Sequence, residues 1–109
     1  MDIKYKIEIF ISKDLVSTMI EELSLVGACK VGEYENVASY FEIEGCWKPL
    51  ETSKPATGEK NVVNFGTEYK LEIRCEEDKI SEAIKIIKEI HPYEEPLFNI
   101  IKLENHLYV

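Results

Sequence analysis

Cationic side chains are scarce in this chain. It carries 13 Lys and Arg against 21 Asp and Glu, a formal net charge of −8, and no basic tract. That balance excludes ordinary phosphate-backbone recognition, which needs clustered Lys and Arg, and it disfavours anionic membrane surfaces. No apolar run approaches the roughly 20 residues a spanning helix needs. The chain opens on a strand pattern with no apolar leader. Neither a nucleic-acid nor a membrane partner is therefore expected. Cysteine is limited to Cys29, Cys46 and Cys75, odd in number and widely spaced. Such thiols suit a reducing cytosol better than a disulfide framework, so a cytoplasmic location is the expectation. Only two histidines, His91 and His106, are present. With five Gly and four Pro there is no linker or low-complexity tract, and the 109 residues read as a single domain, 1–109. A chain this long buries roughly 65% of its unfolded surface, enough for a core without staples.

What is present is a repeat. Tyr5-Lys6-Ile7-Glu8-Ile9 returns as Tyr69-Lys70-Leu71-Glu72-Ile73, and the register holds through Asp14/Asp78, Ser17/Ser81 and Ile20/Ile84. Each copy reads as a strand running into a helix. In the first, Ile3, Tyr5, Ile7, Ile9 and Ile11 alternate with Lys4, Lys6, Glu8, Phe10 and Ser12, the period of a strand with one buried face. Ser12 is placed to cap the following helix, and Asp14 suits its positive end. Leu15, Val16, Met19, Ile20, Leu23 and Val26 form its apolar stripe, and Gly27 suits a left-handed stop. In the second copy the strand spans 67–75, and Glu76, Glu77 and Asp78 open the helix. Its core stripe is Ile80, Ala83, Ile84, Ile87 and Ile90, with Lys85 and Lys88 late in it.

Between the copies, 37–43 alternates as a strand with Val37, Ser39, Phe41 and Ile43 on one side. Residues 45–60 hold Gly45, Pro49, Pro55 and Gly58 and read as a long hairpin arm or loop, of a length that is usually functional or oligomer-forming. Pro92 forces His91 out of helical geometry. After Pro96 a fourth strand, 97–103, is apolar enough to be mostly buried. Two strand–helix units of this kind predict an α+β, ferredoxin-like βαββαβ sandwich: a four-stranded antiparallel sheet with two helices on one face. The other face, carrying Lys4, Lys6, Glu8, Phe10, Lys70, Glu72 and Arg74, has no cover within the chain. Such a face commonly meets another subunit, so a homo-oligomer is expected.

The string His91-Pro92-Tyr93-Glu94-Glu95-Pro96 is a rigid connector in which two prolines bracket an aromatic and two carboxylates. It resembles the His-Pro-Tyr-Glu-x-Pro connector of CutA-like proteins and of the NGG-one-interacting factor three-like family, whose YqfO branch includes short standalone members. The similarity to that standalone domain runs without gaps from about residue 3 to 103. It takes in Gly27-Ala28, Gly32, Tyr34, Gly45, Trp47, Pro49, Pro55 and Gly58. Cys29 stands where a glycine is usual, Val37 where a cysteine is common, Ile43 and Thr52 replace further glycines, and Trp47 replaces phenylalanine. The resemblance implies a CutA-like, PII-like fold in small closed oligomers, with a trimer favoured over a dimer. In longer members this domain is an insert within a dinuclear-metal protein named anything from metal-dependent hydrolase to GTP cyclohydrolase. The metal site of those proteins lies in the flanking halves.

The residues themselves show no catalytic constellation. None of the cysteines has a nearby base in sequence, and Glu94 and Glu95 point to opposite sides if extended. The glycines of 27–32 follow a helix and lack a Gly-Lys-Ser/Thr ending, so they read as a helix stop rather than a phosphate loop. No cofactor is expected. The leading expectation is a non-enzymatic oligomeric module that binds a small ligand or partner protein at subunit clefts. Trp47, Pro49, Tyr93, Glu94 and Glu95 are the interface or ligand candidates. The alternatives are a copper- or zinc-binding homeostasis protein using His91, Glu94 and Glu95, set against a plain structural turn, and a remnant domain of a metal-dependent hydrolase.

Overall fold

The computed structural model describes residues 3–108. Strand β1 (Lys4–Ile11) leads into helix α1 (Lys13–Leu25), followed by the hairpin β2 (Ala38–Trp47) and β3 (Asn64–Glu76), helix α2 (Ile80–Ile90) and strand β4 (Phe98–Lys102). The sheet has the order β2-β3-β1-β4, antiparallel throughout. This is the βαββαβ sandwich that the repeat predicts.

The repeat writes itself into both faces of the central β1–β3 pair. On the helix side, Ile7, Ile9 and Ile11 and their counterparts Leu71, Ile73 and Cys75 are all buried, under Val16, Met19 and Leu23 of α1 and Ala83 and Ile87 of α2. Met19/Ala83 and Leu23/Ile87 are again repeat-related. On the opposite side Glu8 lies directly across from Glu72. Lys6 reaches Glu8 at 3.2 Å and Glu72 at 3.7 Å, and Lys70 reaches the same two carboxylates at 3.2 and 3.8 Å. Burial works against the Glu8 charge. Hydrogen bonds from Asn99, Lys6 and Lys70 more than offset it and hold this carboxyl below its ordinary range.

Helix α1 ends as Gly27 predicts. With φ at +95°, its N–H donates to the Ser24 carbonyl and that of Ala28 to Leu23, a Schellman stop. Other expectations need correction. Ser12 occupies the N-cap position, yet its side chain makes no capping bond; its backbone carbonyl accepts from Leu15 instead. Val26 and Ile84 fall outside the core cluster, and Ile86 joins it. A 3₁₀ turn, Glu77–Lys79, precedes α2, a common way for a helix to start. The hairpin strands run past 43 and begin before 67, so of the arm or loop expected over 45–60 the arm holds at Gly45 and Trp47, both in β2. The fourth strand is mostly exposed rather than buried. It pairs with β1 alone at the sheet edge, so its apolar residues lack the cover their composition suggests.

Beyond Tyr69 the strand β3 pairs only with β2, from Glu68 opposite Ile43 to Asn64 opposite Trp47. This leaves a two-stranded arm projecting from the sheet. At the other end of β3, Cys29 sits fully buried with φ at 61°. Its N–H donates to Arg74 and its carbonyl accepts from Val37, at 2.9 and 2.8 Å. A side chain in the left-handed region costs roughly 1–2 kcal/mol, from which glycine is exempt. Cys29→Gly is therefore expected to be more stable than Cys29→Ala by about 1 kcal/mol in urea unfolding, although alanine retains more of the buried side chain.

Candidate functional site

The connector after α2 is built from its prolines outward. His91 still donates its N–H to the Ile87 carbonyl at 2.9 Å, but Pro92 pushes it to ψ 124° and the helix stops. Its ring then turns inward, leaving the residue 6% exposed. The Tyr93 N–H points at Nδ1 at 3.3 Å, and Nε2 lies 2.6 Å from the Phe10 carbonyl. With Nδ1 accepting, the proton resides on Nε2, which donates to Phe10. The Phe10 N–H in turn donates to the Leu97 carbonyl at 3.1 Å. One residue of β1 thus grips both ends of the connector. Burial holds the imidazole below its ordinary pKa, although the bond to Phe10 and the Glu68 charge both favour the proton.

Tyr93 and Glu94 carry the connector to the arm. The Tyr93 ring packs edge-on against His91 with centroids 4.5 Å apart. Its hydroxyl donates to Glu68 Oε2 at 3.1 Å. Burial and that carboxylate push the phenol up to about 12. Glu94 Oε1 accepts the Lys54 N–H at 2.8 Å, tying the arm's distal loop back to the connector. Glu95 is exposed and engages no partner among the described residues.

Trp47 and Pro49 hold the loop of their own chain. The indole donates from Nε1 to the Thr57 carbonyl at 3.2 Å. Its ring lies where a Cβ on Gly66 would stand 3.3 Å from it, and a Cβ on Gly58 would meet Nε1 at 2.7 Å. Those two glycines make the seat for the indole. Pro49 is buried, and its carbonyl accepts the Asn61 N–H at 2.6 Å. Trp47 nevertheless remains 39% exposed.

Of the five interface or ligand candidates, the structure brings Tyr93 and Glu94 onto the arm, seats Trp47 and Pro49 within it and leaves Glu95 in solvent. The metal candidates His91, Glu94 and Glu95 do not converge. Both ring nitrogens of His91 face backbone partners, and among the described residues no group of three or more His, Cys, Asp or Glu could hold an ion. The residue that sequence reasoning missed is Glu68, the meeting point of arm and connector. Its only sequence signal is its place one residue before the repeated pentapeptide.

No protein-family model matches this chain. The protein called GTP cyclohydrolase 1 type 2 homolog of Staphylococcus aureus (strain COL) is 32% identical over 103 residues, covering 94% of this chain but 28% of that protein. The chain therefore spans little more than a quarter of the relatives it matches. Among solved structures, the Bacillus cereus protein related to NIF3 superposes with a TM-score of 0.82 at 21% identity, over 95% of this chain and 26% of that one. The divalent cation tolerance protein CutA of Archaeoglobus fulgidus superposes with a TM-score of 0.69 at 16% identity, over 93% and 84% respectively. The resemblance to the CutA-like, PII-like domain of the NGG-one-interacting factor three-like family holds in both sequence and fold.

Because His91 is held neutral, the unfolded chain takes up a proton before the native one as pH falls through about 6.5, the ordinary value. Its contribution to stability is complete above that pH and declines below it. The urea midpoint is expected to fall between pH 7.5 and 5.5. In His91→Gln it is lower at pH 7.5 and changes less with pH.

Proposed function

We propose that this chain is a non-enzymatic, oligomeric binding module, assembled through its helix-free sheet face and recognising a small ligand or partner protein at clefts between copies. The observation that carries this reading is the state of that face. Around the charge quartet stand Phe41, 48% exposed, and Ile101, 40% exposed, with β2 and β4 both at sheet edges. Unpaired edges beside apolar side chains invite pairing, and a closed ring of identical copies meets that need without open-ended growth. The arm adds Phe65, 79% exposed, on a two-stranded projection long enough to reach a neighbour. Three copies are the assembly favoured, on the family resemblance.

The recognition clefts of this reading are edged by the arm and the 92–96 connector. Within one chain these already touch through Tyr93–Glu68 and Glu94–Lys54, so a ligand seated there would report on the arm's position. Two observations support a module without chemistry of its own. The Cys29 and Cys75 thiols are pushed up to about 11, chiefly by burial, which leaves them protonated and inert. His91 spends its one proton on a backbone carbonyl.

Light scattering at micromolar concentration is expected to give three times the subunit mass of 12.6 kDa. Phe41→Glu places a charge in the contact and is expected to shift the protein to monomer with an unchanged circular dichroism spectrum. A monomeric wild-type chain would overturn the proposal.

A further inference from the structure

Two of the three thiols meet in the core, apart from the connector, the arm and the helix-free face. Cys29 and Cys75 are both buried in the cluster on the helix side of the sheet. In sequence they stand on opposite sides of the arm, and the fold joins them through one backbone bond. The Cys29 N–H donates at 2.9 Å to the carbonyl of Arg74, the residue before Cys75. Standard chain dimensions then put the two Cα atoms about 6 Å apart, within the span of a disulfide. A charge on the Cys29 sulfur would raise the Cys75 thiol, so the sulfurs lie within electrostatic reach of each other. Cys46 is excluded from this pairing. It stands opposite Phe65 in the arm, roughly 30 Å along β3 from Cys75.

Cys29 is held in place for such a bond. Its φ is 61°, and its N–H and carbonyl are both engaged, with Arg74 and with Val37. A non-glycine residue kept in that region marks a backbone fixed by its surroundings, and a fixed backbone fixes the direction of Cβ. Cys75 has no strong competing partner. Its Sγ lies 3.4 Å from the Glu76 carbonyl, and a thiol is a weak donor. The way in is the segment 29–37, whose residues 32–37 are exposed. Among the described residues its one backbone bond to the sheet is that from Cys29 to Arg74. The closed structure keeps both thiols protonated and shielded. Local opening that breaks this bond returns Cys29 to water, where its acidity is ordinary.

We infer that Cys29 and Cys75 form a redox-closable pair, joined by a disulfide when the protein meets hydrogen peroxide, that staples the segment after α1 to the end of β3. In the opened segment the Cys29 thiolate attacks one peroxide oxygen. The O–O bond breaks, Cys29 becomes a sulfenic acid, and the departing hydroxide takes up a proton as water. Reclosure sets that sulfur beside Cys75. The Cys75 sulfur attacks it, the S–O bond breaks as the S–S bond forms, and hydroxide leaves with the Cys75 proton as a second water. Two thiols lose two electrons and one peroxide gains them. A reductant such as dithiothreitol reverses the bond. The pair stands whether or not copies assemble, since it lies on the side of the sheet away from the proposed contact.

The test uses the full chain carrying Cys46→Ser, which leaves Cys29 and Cys75 as its only thiols. It is treated with hydrogen peroxide, and intact mass, free thiols under denaturation and an unreduced peptide map are measured. The expected result is loss of two hydrogens, loss of both thiols and a Cys29–Cys75 crosslinked peptide. The urea midpoint is expected to rise on oxidation, because the bond closes a long loop in the unfolded chain, and to return with dithiothreitol. Thiols that stay free, cysteines that gain oxygen without joining, or links formed only between chains each overturn the inference. So does a crosslinked product whose midpoint does not rise, since the staple would then hold nothing. The comparison of oxidised with reduced protein needs no substitution at either buried position, so a variant that fails to fold cannot obscure it.

Discussion

The pairing of β1 with β3 is the contact on which the rest of the molecule depends. Both copies of the repeat meet there, and their pseudo-two-fold relation sets Glu8 against Glu72 at the centre of the sheet. Two carboxylates in that position repel, and they stand because Lys6 and Lys70 each reach both. Magnitudes separate the two faces. The quartet is partly buried, with Glu8 only 8% exposed, so desolvation takes back much of what its ion pairs gain, whereas burying an aliphatic side chain contributes about 1.5–3 kcal/mol. Ile7, Ile9, Ile11, Leu71 and Ile73 on the reverse side therefore dominate stability. The quartet governs register: a slip of one residue would turn the isoleucines outward and set the charges under the helices.

Much of this was legible in the sequence. Period-two alternation in the repeated pentapeptides identified the faces of β1 and β3, and Lys6, Glu8, Phe10, Lys70, Glu72 and Arg74 lie on the helix-free side as expected. Gly27 marked its helix end because only backbone geometry was at stake. What was not legible depended on neighbours. The exposure of β4 follows from pairing with β1 alone, which its Phe-Asn-Ile-Ile run does not reveal. The length of the arm follows from mutual pairing of 43–47 with 64–68, and from the Trp47 ring occupying the space above Gly66, contacts that no local pattern encodes.

The candidate site divides in the same way. The hexapeptide 91–96 was legible as a rigid connector, since proline fixes backbone angles without help from elsewhere. Its partners were not. His91 bonds to a carbonyl 81 positions away, Tyr93 to a carboxylate 25 away and Glu94 to an amide 40 away. These contacts change how the residues read. A His and two Glu in a short string suggest a ligand set for a metal. The fold instead makes the histidine a neutral bridge to β1 and Glu94 a hydrogen-bond acceptor for the arm. Cys29 is a related case. Nothing in the local pattern marks position 29 for a left-handed backbone, yet the cysteine is held at φ 61°, a conformation that glycine adopts more readily.

The distribution of charge bears on how copies of this chain could approach one another. A net charge of −8 on 109 residues sets like molecules repelling at a distance, and that repulsion would oppose assembly if it were spread evenly. It is not spread evenly. On the helix-free face β1 and β3 present Lys4, Lys6, Lys70 and Arg74 against Glu8, Glu68, Glu72 and Glu76, four of each sign, while β2 and β4 contribute Ser39, Phe41, Ile43, Asn99 and Ile101. Among the described residues the excess of acid therefore lies on the helices, the loops and the helix-side residues of the arm. Surfaces carrying the excess keep molecules apart, and the balanced face is where contact costs least. A pattern with period two, copied once within the chain, thus separates a charged exterior from a neutral surface suited to meeting itself.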